Sequence, residues 1–222
     1  RKTLIFMTAA ISLNASAQQT FTYDGDPNDL RDYGDLFISS FGGPVNSKDN
    51  DGSPSDNTVI IEETLTHAPQ YIVGGFSLEE DVSGNSVIMT GGTGGQNLIQ
   101  HDIYSGYSSG GDVSDNSIDM SGGTVNSSIY GGYSDTGSAL NNSVQVTGGT
   151  ISAGVHGGFV KGDNMSASGN SVFLNNAVII NNVFGGQSTA VSGGLFNNNS
   201  VTITGGSVGL HVYGARTAAT DA

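Results

Sequence analysis

Gly106-Tyr107-Ser108-Ser109-Gly110 has the form of a nucleophile elbow, in which a serine on a tight strand-to-helix turn attacks an acyl carbon. That chemistry needs a helix after the serine, and no helical period follows this one. Gly-Gly-Tyr-Ser returns at Gly131 to Ser134, which marks the segment as part of a repeated element. The histidines, His67, His101, His156 and His211, form no close pair of the kind that holds a transition metal, and the chain has no Cys. The residues therefore point to no metal and no cofactor. Asp112, Asp115 and Asp119 are the tightest acidic group, and paired carboxylates are what polysaccharide cleavage would need. Asp115 and Asp119 lack acidic counterparts in neighbouring units, and no Lys or Arg lies between Lys48 and Lys161 to take a proton. Solvated loop carboxylates are the expected reading. Ser47 to Gly52 resembles part of a calcium loop, but Thr58 stands where the twelfth-position Glu belongs. Gly91 to Gln96 has Gln where a calcium-binding Gly-rich nonapeptide needs Asp.

The elements behind these residues repeat. Units open at Asn57-Thr58-Val59, Asn85-Ser86-Val87, Asn116-Ser117-Ile118, Asn142-Ser143-Val144, Asn170-Ser171-Val172 and Asn199-Ser200-Val201. A period in this range means a solenoid, whose units bury their apolar faces on one another. The first strand of each unit keeps one parity apolar, as in Ile118/Met120 and Val144/Val146, while the other parity is mixed. This is a half-buried strand. A Gly-Gly turn follows at residues 91–92, 122–123, 148–149 and 205–206, with Asn175-Asn176 in the fifth unit. All of these tolerate a left-handed corner. A second strand carries a β-branched residue and then, usually, an aromatic one. In register, Tyr104, Tyr130, His156, Phe184 and Tyr213 form a ladder along one outer face, a candidate binding face. A second aromatic column, Phe76, Tyr107, Tyr133 and Phe159, has no side assigned, because the glycines between can bend the chain. A third apolar position three residues before each new Asn (Val82, Val113, Ala139, Ala167, Phe196) implies a short closing strand. Three strands per turn and no helix describe an all-β parallel β-helix of about six coils, a rod of roughly 29 Å. Asn85, Asn116, Asn142, Asn170 and Asn199 are expected to form a structural amide ladder, each bonding the next coil.

Residues 1–17 have the form of an export signal: Arg1-Lys2, an apolar run to Leu13, and Ala15-Ser16-Ala17 as cleavage site. The apolar run falls short of the ~20 residues that span a bilayer as a helix. Residues 18–56 lack the repeat and hold Pro27, Pro44 and Pro54; they read as an N-terminal cap and loop over an otherwise open sheet edge. The repeats divide as 57–84, 85–115, 116–141, 142–169, 170–198 and 199–222. No cap follows them, so the chain is expected to be cut from a longer protein. Net charge is −14 at pH 7, which argues against nucleic acid and anionic membranes as partners.

The signal-like start, the lack of Cys and the tandem Asn-Ser-Val…Gly-Gly…Val-Tyr-Gly-Gly-Tyr-Ser units resemble passenger regions of bacterial autotransporters. They are most similar to large, repetitive, adhesin-like surface proteins of Gram-negative anaerobes. The resemblance covers residues 1–17 and 57–222. It implies a right-handed parallel β-helix exported to the cell surface or medium, carried by a C-terminal outer-membrane β-barrel that this chain does not contain. It further implies a non-catalytic passenger, adhesive toward host or bacterial surface ligands (protein or glycan) or self-associating. The alternative is a secreted polysaccharide-active β-helix enzyme, a lyase or hydrolase.

Overall fold

In a computed structural model the structure describes residues 20–23, 37–39, 54–61, 71–91, 98–99, 101–190 and 193–218. The signal-like segment, Ser47 to Gly52, His67 and Gln96 lie outside the described residues.

The third repeat shows the unit. Its strands are Ser117–Met120, Thr124–Val125, Ile129–Ser134 and Ala139–Leu140. Each pairs in parallel with its counterparts one coil before and after: Ile118 with Val87 and Val144, Val125 with Ile99 and Ile151, Ile129 with Ile103 and Val155, Ala139 with Val113 and Ala167. Among the described residues the strands form four parallel sheets of 7, 5, 7 and 4 strands, each built up coil by coil. The fold is a β-solenoid of about 5 turns, all-β among the described residues. Two expectations need correction. A complete coil has four strands, because a short strand, Thr124–Val125 in the third unit, follows the Gly-Gly turn. The closing strand expected at Phe196 is not there: among the described residues the last closing strand is Ala167–Ser168, and Phe196 packs on a smaller core without joining a sheet.

The apolar parity of the first strand faces inward, as expected. Ile118 and Met120, Val144 and Val146, and Val172 and Leu174 are all buried in one continuous core with Ile99, Val125, Ile151 and Ile179 from the short second strand. Each such side chain contributes about 1.5–3 kcal/mol through burial. A second, smaller core holds Val82, Val113, Ala139, Val160 and Ala167. Between the two cores the aromatic strand touches the Asn corner. Ser105 Oγ donates to the carbonyls of Asn85 (2.9 Å) and Ser117 (2.7 Å). A side chain on Gly106 would meet the Asn116 amide at 2.5 Å. The coil is pinched there.

Two left-handed corners shape the coils whose turns are described. The second residue of the Gly-Gly turn has positive φ at Gly123, Gly149 and Gly206 (91°, 93° and 95°) and at Asn176 (55°). The residue before each ladder Asn does too: Asp56, Gly84, Asp115, Asn141, Gly169 and Asn198, all between 56° and 71°. Gly, Asp and Asn are the residues that accept this conformation.

Residues 20–39 hold no copy of the repeat, yet Thr20–Tyr23 pairs in parallel with Thr58–Ile61, and Phe37–Ser39 with Tyr71–Val73. These strands extend the two long sheets by a rung, in the place a cap must occupy.

Candidate functional site: an aromatic strip outside the coil

The strand Ile129–Ser134 sends Ile129 into the core and Tyr130 out. The pinch then brings Tyr133, three residues on, back beside Tyr130. Repeated through the coils, this makes two columns. Tyr104, Tyr130, His156, Phe184 and Tyr213 stack face to face at centroid spacings of 5.1, 4.5, 4.9 and 5.2 Å. Phe76, Tyr107, Tyr133 and Phe159 stack beside them at 5.1, 5.0 and 5.0 Å. Between the columns the rings meet edge to face, Tyr104 with Tyr107 at 5.4 Å, Tyr130 with Tyr133 at 5.3 Å and His156 with Phe159 at 5.6 Å. Stacked and edge-on pairs each add about 0.5–1.5 kcal/mol beyond area burial. The second column therefore lies outside with the first.

The candidate binding face is not uniform. Tyr104, Tyr130 and Tyr213 are half-buried. His156 is 6% exposed and Phe184 3%, so these two are packing residues rather than contact residues. Their rings are covered above, below and from one side, and Arg216 lies across Phe184 with its guanidinium 5.9 Å from the ring. Stacking also hides ring faces along the whole strip. What it presents outward is ring edges and hydroxyls.

Charged groups line the rim. The Tyr104 hydroxyl donates to Asp102 (2.9 Å) and the Tyr107 hydroxyl to Asp135 (2.8 Å). Lys161 pairs with Asp135 at 2.9 Å and lies 5.1 Å from the Tyr133 ring. Burial, then the nearby Asp102 carboxylate, raises the Tyr104 phenol, and the same two causes push Tyr130 up to about 12. Partial burial pushes the Asp135 carboxyl up, but hydrogen bonds from Lys161 and Tyr107 outweigh it and leave it below the usual range. His156 is lowered to about 3 by burial. Its Nδ1 and the Gln187 Oε1 are both buried without a close hydrogen bond.

The amide ladder is formed inside the Asn corner. Each ladder Asn accepts, through Oδ1, from both the backbone N and the Nδ2 of the Asn one coil earlier. The contacts run from Asn57 through Asn85, Asn116, Asn142 and Asn170 to Asn199 at 2.9–3.1 Å.

The residues weighed for chemistry are used structurally. Ser108 is fully buried; its hydroxyl donates to the Glu80 carbonyl (2.8 Å) and accepts from Gly111 N (2.9 Å). Ser134 makes the same pair of bonds, to the Gly111 carbonyl and from Gly137 N, one coil on. Asp112 accepts from Ser138 N at 2.7 Å, Asp115 holds a left-handed corner and Asp119 points outward from its strand. The three acids thus occupy a turn, a corner and a strand. His101 stacks on Tyr71 at 4.6 Å, and His211 lies 3.2 Å from Asn182 Oδ1. No group of three His, Cys, Asp or Glu is placed to hold a metal among the described residues. Asp102, Asp135, Lys161 and Arg216 are rim residues that carry no repeat signal; only their distance from the strand aromatics, two or three residues, points to them.

Fold and strip together define a repetitive β-solenoid with a self-stacked aromatic strip outside it. No protein-family model matches the chain, and neither a curated protein nor a solved structure matches it.

Proposed function

We propose that this chain is an exported, non-catalytic passenger segment of autotransporter type, displayed at the cell surface or released, that adheres or self-associates through its repetitive outer face. The observation that carries this reading is the strip: aromatic rings stack from coil to coil about 5 Å apart, and the half-buried Tyr104, Tyr107, Tyr130 and Tyr213 turn ring edges and hydroxyls outward. Individually weak contacts at such spacing gain from multivalency. The signal-like residues 1–17 and the acidic, Cys-free composition support export. Partners are surface proteins, glycans or further copies of the chain, met by Tyr104, Tyr107, Tyr130 and Tyr213.

The test displays the full chain on a bacterial surface and measures attachment to glycan and matrix-protein arrays and cell–cell aggregation. Attachment or aggregation that weakens in a Tyr130→Phe/Tyr213→Phe variant, which keeps the stack and removes two hydroxyls, is the expected result. Uniformly negative binding overturns the adhesive reading. Turnover of a uronate polymer that disappears on Asp115→Asn overturns the non-catalytic one.

A further inference from the structure

The two aromatic columns begin at different coils. Phe76 starts one column, but the residue paired with Tyr104 in that same coil is Val73. Tyr130 and Tyr104 each lie on a ring of their own column and against two edges of the other. Tyr130 meets the edges of Tyr133 and Phe159 at 5.3 and 5.6 Å, and Tyr104 meets those of Tyr107 and Tyr133 at 5.4 and 5.3 Å. A ring at position 73 would lie on the open face of Tyr104, against Phe76 and Tyr107. A hollow of about 260 Å³ occupies that place, lined by Tyr71, Val73, Phe76, Tyr104 and Tyr107. Val73, 1% exposed, closes its floor. Tyr71, held by its stack on His101, forms a side wall.

We propose that this slot binds one neutral planar aromatic ring of a small molecule, a phenol or an indole, as the missing member of the stack. The volume lies below the ~300 Å³ at which pockets for larger ligands begin, which suits a single ring. The slot offers an open ring face and two flanking rings, the geometry in which aromatic pairs attract. A sugar is poorly served, because the Tyr104 and Tyr107 hydroxyls already donate to Asp102 and Asp135. An anionic ring meets the Asp102 carboxylate and a chain of net charge −14. This inference is independent of adhesion, since the slot lies at the end of the strip and takes a small molecule.

The full chain is titrated with p-cresol and with indole, with cyclohexanol and methyl β-glucoside as controls, and followed by NMR. The expected result is an upfield ring-current shift of the bound aromatic probes, with perturbed Tyr104 and Phe76 resonances, and no binding of the controls. Val73→Phe should abolish binding and raise the thermal midpoint by completing the column. Val73→Ala should keep binding. Failure of both aromatic probes to bind, perturbation centred away from Tyr104, binding that survives Val73→Phe, or equal binding of cyclohexanol each overturns the proposal. Should Val73→Phe not fold, the probe shifts on the unaltered chain still decide. Adhesion can fail while the probes bind, and the probes can fail while cells adhere.

Discussion

Asn142 carries four side-chain hydrogen bonds to three other coils. It accepts from Asn116 N and Nδ2 (3.1 and 3.0 Å) and donates to the Val113 carbonyl and Asn170 Oδ1 (both 3.1 Å). Asn142→Ala removes all four bonds; Asn170 Oδ1 keeps the backbone N of residue 142 and Asn116 Nδ2 keeps the Val82 carbonyl, while the other buried partners cost about 1–3 kcal/mol each if left unsatisfied. We expect a loss of about 4 kcal/mol in urea unfolding. His156 sets a pH dependence. Burial holds its folded pKa near 3, below the ordinary imidazole value of 6.5, so the unfolded chain binds the extra proton first. Above pH 6.5 the group contributes no slope; as pH falls from 6.5 toward 3, stability is lost at about 1.4 kcal/mol per unit. Tyr130, Phe159, Phe184 and Gln187 surround the imidazole, and none of them supplies a charge to offset this. His156→Phe should remain stacked and lose about 2 kcal/mol less than the unaltered chain between pH 6.5 and 5, measured by denaturant unfolding at each pH. The ladder Asn was legible because it recurs. The left-handed residue before it was equally visible, as Asp, Gly or Asn in every unit, but sits between two stronger signals and went unread. That His156 and Phe184 are packing residues could not be seen, because their cover comes from Arg216 and from rings on other coils.

Within an element, the aromatic strand depends on its two glycines. A side chain on Gly131 would meet the Gly157 carbonyl at 2.5 Å, and one on Gly132 would run into the Asn142 amide. Neither position has positive φ, so close approach rather than backbone freedom demands glycine. Gly122, in the turn, is roomier: its nearest atom would be Gly91 Cα at 3.3 Å. Gly132→Ala should therefore lower stability by about 3 kcal/mol, the upper range for overpacking, and Gly122→Ala by under about 1 kcal/mol. Thermal unfolding of the two variants side by side checks this; equal effects would remove the pinch as the reason for the glycines. The period-2 alternation of Ser117–Met120 and its counterparts announced the first strand clearly. Thr124–Val125 has two residues, too few for any period to show, so the fourth strand became visible only through its pairing with Leu98–Ile99 and Thr150–Ile151. The side taken by Tyr107 and Tyr133 depended on a bend that no alternation rule describes.

Across the whole molecule, stability must fall toward the last coil. Ile203 and Val212 are 42% and 45% exposed, whereas their counterparts Val146 and Val155 are fully buried. End coils have neighbours on one side only, and exposed backbone bonds with few apolar contacts open first. Hydrogen exchange should show Val201 to Tyr213 far less protected than Val144 to Val155; equal protection would mean something covers that end. The solenoid itself was legible from the spacing of the Asn openings, but the pairing of Thr20–Tyr23 with Thr58–Ile61 was not, since that rung shares sheet register with the repeats and none of their sequence. The polarity of the amide ladder has one further consequence. Every ladder Asn offers the preceding coil the same acceptor and the following coil the same donor, while unit lengths from 26 to 31 residues leave that contact unchanged. An in-frame duplication of residues 116–141 would thus insert a coil whose two seams match those already present. A gene built this way can lengthen or shorten by recombination between its own copies, and each product is a molecule that still closes on itself.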